Sequence, residues 1–401
     1  MKKNKKWMKP RHKFFTELLR LVLRPTIKHK YKAEIVPFAQ QGNGQYLVLF
    51  NHQTGFDQFF VGSAFRGPMY YLTNDDMFTK GFVSKVITWA VKPIPIKKQA
   101  NDVHAVMNCI KIAKEGGSIA IAPEGNRTYS GKPCNINPAI VKLVRAIKLP
   151  IAFFRIEGGY GAQPRWSGRI RKGKMKCYVS RVMDLNEYKD MTDQQLLEVI
   201  KQELYVDEGC VDIDFVHNKR AEYIERAYYV CPKCGLTTFT SNGNSFVCNQ
   251  CGLSAEYAQS KQLLWSDSNI YLPFTTQWYD YQEEFVRGMD YTQYLHKPMY
   301  TDRAKLSAVV PYKTKKAVDK QAQIELYGDR IEIKGKLSMV LTFDEISTAT
   351  CLGKNKLNIY HGGDVWQLKG GKQFNALKYV HMCYHYKNVK KGEQYGQFLG
   401  L

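Results

Sequence analysis

The chain has 401 residues, too many for one ordinary domain, and its 44% apolar content is enough to bury a sizeable core. Its 59 Lys and Arg against 36 Asp and Glu give a formal charge of +23, which favours anionic partners such as phospholipid, phosphorylated substrate or nucleic acid. No run approaches the roughly 20 apolar residues that span a bilayer, and the basic start lacks the apolar core and cleavage site of a secretory signal, so a cytoplasmic chain is expected.

Residues 1–32 carry twelve Lys or Arg and one acid, Glu17, and so supply +11 of the +23. Within them, KFFTELLRLVLRPTIK repeats Phe14, Phe15, Leu18, Leu19, Val22 and Leu23 at helical spacing beside Lys13, Arg20 and Arg24, with Pro25 as terminator. Such a helix suits an anionic lipid interface, although the same stripe also serves a helix packed on its own domain. Residues 1–40 are assigned to a basic, amphipathic, membrane-associating segment at the inner face of the cell membrane.

From 41 to 215, apolar runs alternate with amphipathic stretches. QYLVLF at 45–50, GPMYYLT at 67–73, GSIAIAPE at 117–124, LPIAFFRI at 149–156 and KCYVSRV at 176–182 read as strands. FDQFFVGSAF, FVSKVITWAV, DVHAVMNCIKIAKEGG, PAIVKLVRAIK and TDQQLLEVIKQEL read as helices, with Thr192 as cap of the last. Alternation of this kind predicts an α/β domain with a sheet flanked by helices. RWSGRIRKGKMK, residues 165–176, holds six basic residues and no acid, and reads as a phosphate-facing or membrane-facing surface or as a solvated loop.

Cys231, Cys234, Cys248 and Cys251 form C-x2-C, thirteen intervening residues, then C-x2-C, with a glycine after each pair. Four soft ligands in two close pairs suit tetrahedral zinc, and a full set of cysteines with no open position makes that zinc structural. Residues 226–256 are therefore predicted to be a zinc ribbon, and the other six cysteines, Cys109, Cys134, Cys177, Cys210, Cys351 and Cys383, to be thiols. The stretch 257–300 has no clear period and is taken as a connecting region. From 301 to 401, hairpin signals at Gly328-Asp329 and Gly362-Gly363 followed by NALKYVHMCYHYK predict a small β-rich domain ending in a helix, loosely similar to pleckstrin-homology-like modules.

The chemistry gathers at two strand ends. LVLFNHQTGFDQFF runs a buried strand into Asn51-His52, then a turn at Gly55, then Asp57 at the head of a helix. On an ideal helix, residues five apart stand about 140° from each other, so His52 belongs in the turn before the helix. There Asp57 can fix the imidazole tautomer while the other ring nitrogen takes a proton from a substrate hydroxyl. The nucleophile then comes from the substrate. An isolated H-x4-D is also what an ordinary loop histidine and a helix-first-turn acid would give. A second cluster follows the strand GGSIAIA: Glu124, a turn at Gly125, and Arg127, whose paired donors match a phosphate. Lys97 and Lys98, after WAVKPIPI, are either further phosphate ligands or a solvated pair.

Together these segments resemble the glycerolipid acyltransferase family typified by bacterial 1-acylglycerol-3-phosphate acyltransferase, over about half the chain. Its first motif, N-H-x4-D, is Asn51, His52 and Asp57; its third, usually F-P-E-G-T-R-S, is Ala122 to Thr128. The second motif usually supplies an Arg where Lys97 or Lys98 stands, and LPIAFFRIEGG is a loose version of the fourth. The resemblance implies transfer of a fatty acyl group from an acyl thioester, coenzyme A or acyl carrier protein, to the free hydroxyl of a lysophospholipid. It makes His52 the general base and Asp57 its orienter. Glu124, Gly125, Arg127 and Lys97 would hold the acceptor's glycerol phosphate, with Glu124 either bonding a hydroxyl or bracing basic side chains.

The competing class is a zinc-ribbon nucleic-acid-binding or scaffold protein with an inactive acyltransferase-like half. Lys233 is the only Lys or Arg between Cys231 and Cys251, so nucleic acid is not the expected partner.

Overall fold

The computed structural model describes residues 6–74, 77–78, 81–96, 102–310 and 314–393. The chain divides into two compact units: Met1–Ala162 with Lys172–Ile213, and Gln163–Arg171 with Asp214–Leu401.

The first unit opens on α1 (Pro10–Tyr31) and β1 (Ala33–Ile35), followed by β2 (Leu47–Phe50), α2 (Asp57–Ala64), β3 (Met69–Asn74), α3 (Phe82–Ala90) and β4 (Ile94–Ile96). Then come α4 (Val103–Lys114), β5 (Ser118–Ile121), α5 (Ala139–Ile147), β6 (Ile151–Glu157), a short α6 (Gly159–Ala162), β7 (Met175–Met183), a short α7 (Leu185–Tyr188) and α8 (Asp193–Leu204). The strands make one seven-stranded sheet in the order β1-β7-β6-β2-β5-β3-β4. Strands β6, β2, β5, β3 and β4 are parallel, and β7 is antiparallel to β6. All four residues of β2 are buried, as expected of a strand covered on both faces. Its neighbours are β5 and β6, so the carboxyl ends of three adjacent parallel strands open on one edge, where α/β sheets present reactive groups.

The predicted strands and helices of this unit are all present. Their faces follow the sequence period: Ile140, Val141, Val144 and Ile147 of α5 and Leu196, Leu197, Ile200 and Leu204 of α8 join β2, β5 and β6 in one core. Thr192 caps α8 by accepting the Gln195 N–H in a capping box.

Pro25 does not end α1, which runs on to Tyr31. A proline removes one helical N–H and costs about 3 kcal/mol in a helix interior. Here Leu21 and Pro25 are exposed, so the carbonyl left without its partner lies at the solvent side, while Ile27 and Tyr31 beyond it are buried. Arg20, expected beside a lipid-facing stripe, instead donates to the carbonyls of Gly62 (2.8 Å) and Phe65 (2.6 Å). A cation there meets the negative end of α2.

The second unit contains a two-stranded hairpin, β8 (Val230–Cys231) and β9 (Gly235–Leu236), and a four-stranded sheet of β10 (Phe239–Asn242), β11 (Ser245–Cys248), β12 (Ser254–Tyr257) and β13 (Leu263–Trp265). The stretch without a period forms α9 (Thr275–Arg287). Its Trp278 stacks on Tyr228 at 4.0 Å and on Phe246 at 5.1 Å, with Phe239 and Trp265 edge-on, so α9 supplies the aromatic centre of the ribbon. A seven-stranded antiparallel sheet follows: β14 (Tyr300–Val310), β15 (Thr314–Leu326), β16 (Arg330–Lys334), β17 (Met339–Thr342), β18 (Ile346–Leu352), β19 (Lys356–His361) and β20 (Asp364–Gly370). Helix α10 (Leu377–Lys390) closes it, and both predicted hairpins form.

The basic run 165–176 is not one cationic surface. Arg165 is buried and donates to Cys351 O (2.9 Å) and Gly353 O (3.2 Å). Arg171 is fully buried over the Trp166 and Tyr257 rings and donates to Arg220 O. Their fork of donors satisfies carbonyls inside the second unit, leaving Arg169, Lys172, Lys174 and Lys176 exposed.

Candidate active site

At the end of β2 the Asn51 amide exchanges two hydrogen bonds with the Ile156 backbone, Nδ2 donating to O (2.9 Å) and Oδ1 accepting from N (2.8 Å). This ties β2 to β6 and fixes where His52 leaves the sheet.

Asp57, the first residue of α2, folds back over the turn that precedes it. Its Oδ2 lies 2.7 Å from His52 Nδ1 and accepts from Gln53 N (2.8 Å), while Oδ1 accepts from Thr54 N (2.9 Å) and Thr54 Oγ1 (2.6 Å). An ionised carboxylate only accepts, so His52 Nδ1 carries the proton and Nε2 is left with a lone pair. The Asp57 side chain is fully buried and that of His52 is 26% exposed, which shelters the carboxylate and leaves the imidazole reachable from solvent.

The turn after β5 is fastened to the same residue from both sides. Glu124 Oε1 accepts the His52 N–H (2.8 Å), Glu124 Oε2 accepts the Cys134 N–H (2.8 Å), and Thr128 N donates to His52 O (3.1 Å). With both oxygens taken by backbone, the buried Glu124 braces the His52 turn. Burial, with a smaller push from the charge of Asp57, raises its carboxyl to about 8 against the pull of the two N–H groups. Gly125 has φ +67 and is exposed, so the chain turns there at no steric cost and brings the half-buried Arg127 round. Lys97 and Lys98 lie outside the described residues.

Three features of this site carry no motif. Glu208, just after α8, is buried; its carboxylate accepts the N–H groups of Gly158 (2.8 Å) and Gly161 (3.3 Å), and its own N–H donates to Gly131 O (3.3 Å). It joins the loop after β6 to the loop after β5. Tyr31, at the end of α1, packs its ring against Phe56 and Phe60 on either side of Asp57. Gly159 lies against Gln53, and a Cβ there would stand 2.6 Å from Gln53 Cβ. Gly159→Ala is therefore expected to displace the His52 turn and lower kcat by on the order of tenfold to a hundredfold. Steady-state kinetics on a variant with an unchanged melting curve check this, and wild-type turnover would contradict it.

In the second unit the Sγ atoms of Cys231, Cys234, Cys248 and Cys251 all lie within 4.8 Å of one another. Cys231 and Cys251 are 3.7 Å apart, Cys234 and Cys248 3.5 Å, and Lys233 N donates to Cys231 Sγ at 3.4 Å. Four converging thiols with an N–H···S bond fit one tetrahedral metal ion.

The site thus gathers a histidine hydrogen-bonded to a buried carboxylate and clasped by its backbone to a glycine turn that carries an arginine. Residues 27–156 match the family model described as Acyltransferase, and that match spans every residue of this clasp up to Arg127; this part of the chain is an acyltransferase domain. The chain is similar to the crystal structure of the 1-acyl-sn-glycerophosphate (LPA) acyltransferase, PlsC, from Thermotoga maritima, at 16% identity and a TM-score of 0.41, covering 49% of this chain and 83% of that one. It is also similar to the Vps36 N-terminal PH domain, at 15% identity and a TM-score of 0.20, covering 25% of this chain and 99% of that one. A search of curated proteins finds no match.

Proposed function

We propose that this protein moves a fatty acyl group from an acyl thioester, of coenzyme A or acyl carrier protein, to the free hydroxyl of a lysophospholipid, with 1-acylglycerol-3-phosphate as acceptor and phospholipid biosynthesis as the setting. The observation that carries this reading is the His52–Asp57 pair, held at 2.7 Å and clasped by its backbone to the turn that bears Arg127. His52 Nε2 takes the hydroxyl proton as the oxygen attacks the thioester carbonyl. The C–S bond then breaks, and the departing thiolate takes the proton back from the imidazolium. Asp57 stabilises that imidazolium without itself being protonated. Gly125 and Arg127 meet the acceptor phosphate, Glu124 holds the loop in which they sit, and Lys97 adds a second cation after β4.

Such an acceptor scarcely leaves a bilayer, and two neighbouring helices offer a surface for one. The Phe15 ring of α1 lies 5.0 Å from the Trp89 ring of α3. Phe14, Leu18, Leu21 and Val22 on α1 and Phe82, Val83, Val86 and Trp89 on α3 are exposed, with Lys13, Arg24 and Lys28 exposed on α1. No described helix is long and apolar enough to cross a membrane. Peripheral docking on the anionic inner face of the cell membrane accounts for this combination. The four cysteines hold a structural zinc.

Acceptor choice tests the reading. Arg127→Ala is expected to lower kcat/KM about a hundredfold for lysophosphatidic acid, the loss of a charge-assisted pair of hydrogen bonds. Turnover of 1-acylglycerol, which has no phosphate, should stay as in wild type. Equal losses on both acceptors, or a wild type indifferent to the phosphate, would contradict it.

A further inference from the structure

Helix α1 touches α2 at both ends. At the carboxyl end of α2 Arg20 holds the carbonyls of Gly62 and Phe65. At its start stands Tyr31, fully buried, with its ring 5.8 Å from Phe56 and 5.5 Å from Phe60, nearly perpendicular to the latter. Phe56 immediately precedes Asp57 and Phe60 follows it by one turn, so Tyr31 covers the flank of the segment that carries the orienting carboxylate. The chain beyond is equally fixed: Lys32 takes a left-handed conformation, φ 48, and β1 then pairs with β7. Tyr31 is thus gripped from α1 on one side and from the sheet on the other.

We infer that Tyr31 is a positioning residue for the His52–Asp57 pair, and that α1 completes the site in addition to facing the membrane. This rests on the acyl-transfer reading for its catalytic consequence, while its structural content concerns the pair alone.

Asp57 and Arg127 act electrostatically on Tyr31, and the Lys30 ammonium lies 5.8 Å over the neighbouring Phe56 ring. Burial raises the phenol well above its ordinary pKa; the Asp57 carboxylate raises it further and the Arg127 guanidinium opposes both. The hydroxyl therefore stays neutral, within electrostatic reach of two opposite charges in a poorly solvated place. The Tyr31 ring, packed against Phe56 and Phe60, braces the start of α2 on which Asp57 sits, so the direction of the carboxylate depends on that contact. Leu21 and Val22, exposed earlier on the same helix, have no such role, so the two duties of α1 separate along its length.

The experiment compares Tyr31→Phe, Tyr31→Ala and, as a control on the same helix, Thr26→Ala. It uses the full chain and a short-chain lysophosphatidic acid that dissolves as a monomer, which removes any contribution of membrane docking. Tyr31→Ala should lower kcat by about ten- to a hundredfold with KM changed by less than about threefold, and Tyr31→Phe by about three- to tenfold. Thr26→Ala should match wild type. Independently of turnover, the His52 Nδ1–H···Asp57 hydrogen bond, 2.7 Å long, is followed by proton NMR. Loosening the Asp57 contact weakens that bond, so the downfield Nδ1–H resonance should move upfield or broaden in Tyr31→Ala, and less so in Tyr31→Phe. Wild-type kcat together with a wild-type Nδ1–H resonance in Tyr31→Ala overturns the inference. Should that variant not fold, an unshifted resonance in Tyr31→Phe overturns it. A wild type inactive on every acceptor refutes the proposed function, and the Nδ1–H resonance alone then decides for or against Tyr31.

Discussion

Asp57→Asn is expected to lower kcat by on the order of 10³ to 10⁴ while leaving the fold intact. The size follows from the tautomer. Asp57 accepts from His52 Nδ1, from the backbone of Gln53 and from the backbone and hydroxyl of Thr54. If the single oxygen of an asparagine stays on the Thr54 N–H and hydroxyl, its NH2 takes the place of Oδ2 and faces both the imidazole and the Gln53 N–H. His52 Nδ1 must then accept, the proton moves to Nε2, and the base has no lone pair for the substrate hydroxyl. Rate measurement under saturating acceptor, beside circular dichroism, checks this. A loss under tenfold would mean that the carboxylate does not set the tautomer.

Removal of the metal should have the opposite profile. About one zinc per chain is expected, and Cys231→Ser should release it and lower the unfolding temperature of the second unit with acyl transfer spared. Structural zinc in small finger peptides contributes about 10–16 kcal/mol. Here the centre also contains Trp278 packed among Tyr228, Phe239, Phe246 and Trp265, so the ribbon should loosen around this aromatic cluster and retain part of its order. Metal analysis and calorimetry follow the two effects separately. Lost activity in a protein whose second unit still melts normally would argue that the ion takes part in the chemistry.

The parts of the fold legible in the sequence are those where a single local rule operates. The strand LVLF, the cap at Thr192 and the stripes of α5 and α8 each follow from period and capping alone. Helix α9 was hidden because its buried face reads Trp278, Gln282, Val286, and a glutamine interrupts the apolar period. Gln282 is tolerated inside because its amide oxygen accepts the Tyr229 N–H and its NH2 donates to Ala227 O, partners that only the folded chain provides. Tertiary bonding likewise overrides the charge reading of Arg165 and Arg171, and burial beyond Pro25 overrides the proline signal in α1.

At the site, the paired motifs led to His52, Asp57, Glu124 and Arg127, and the structure brings the first three into direct hydrogen-bonded contact. The clasp was half legible: the sequence left Glu124 between a hydroxyl and basic side chains, whereas its oxygens hold the backbone of His52 and Cys134. Glu208 and Tyr31 lie far from both motifs in sequence, and long-range contacts leave no trace in local spacing.

Formation of phosphatidic acid by the purified protein, from lysophosphatidic acid and a labelled acyl thioester presented on anionic vesicles, tests the central claim most directly when wild type is set beside His52→Ala. Product from wild type, with a loss on the order of 10³-fold or more in the variant, is the predicted result. Equal product from both would contradict the account.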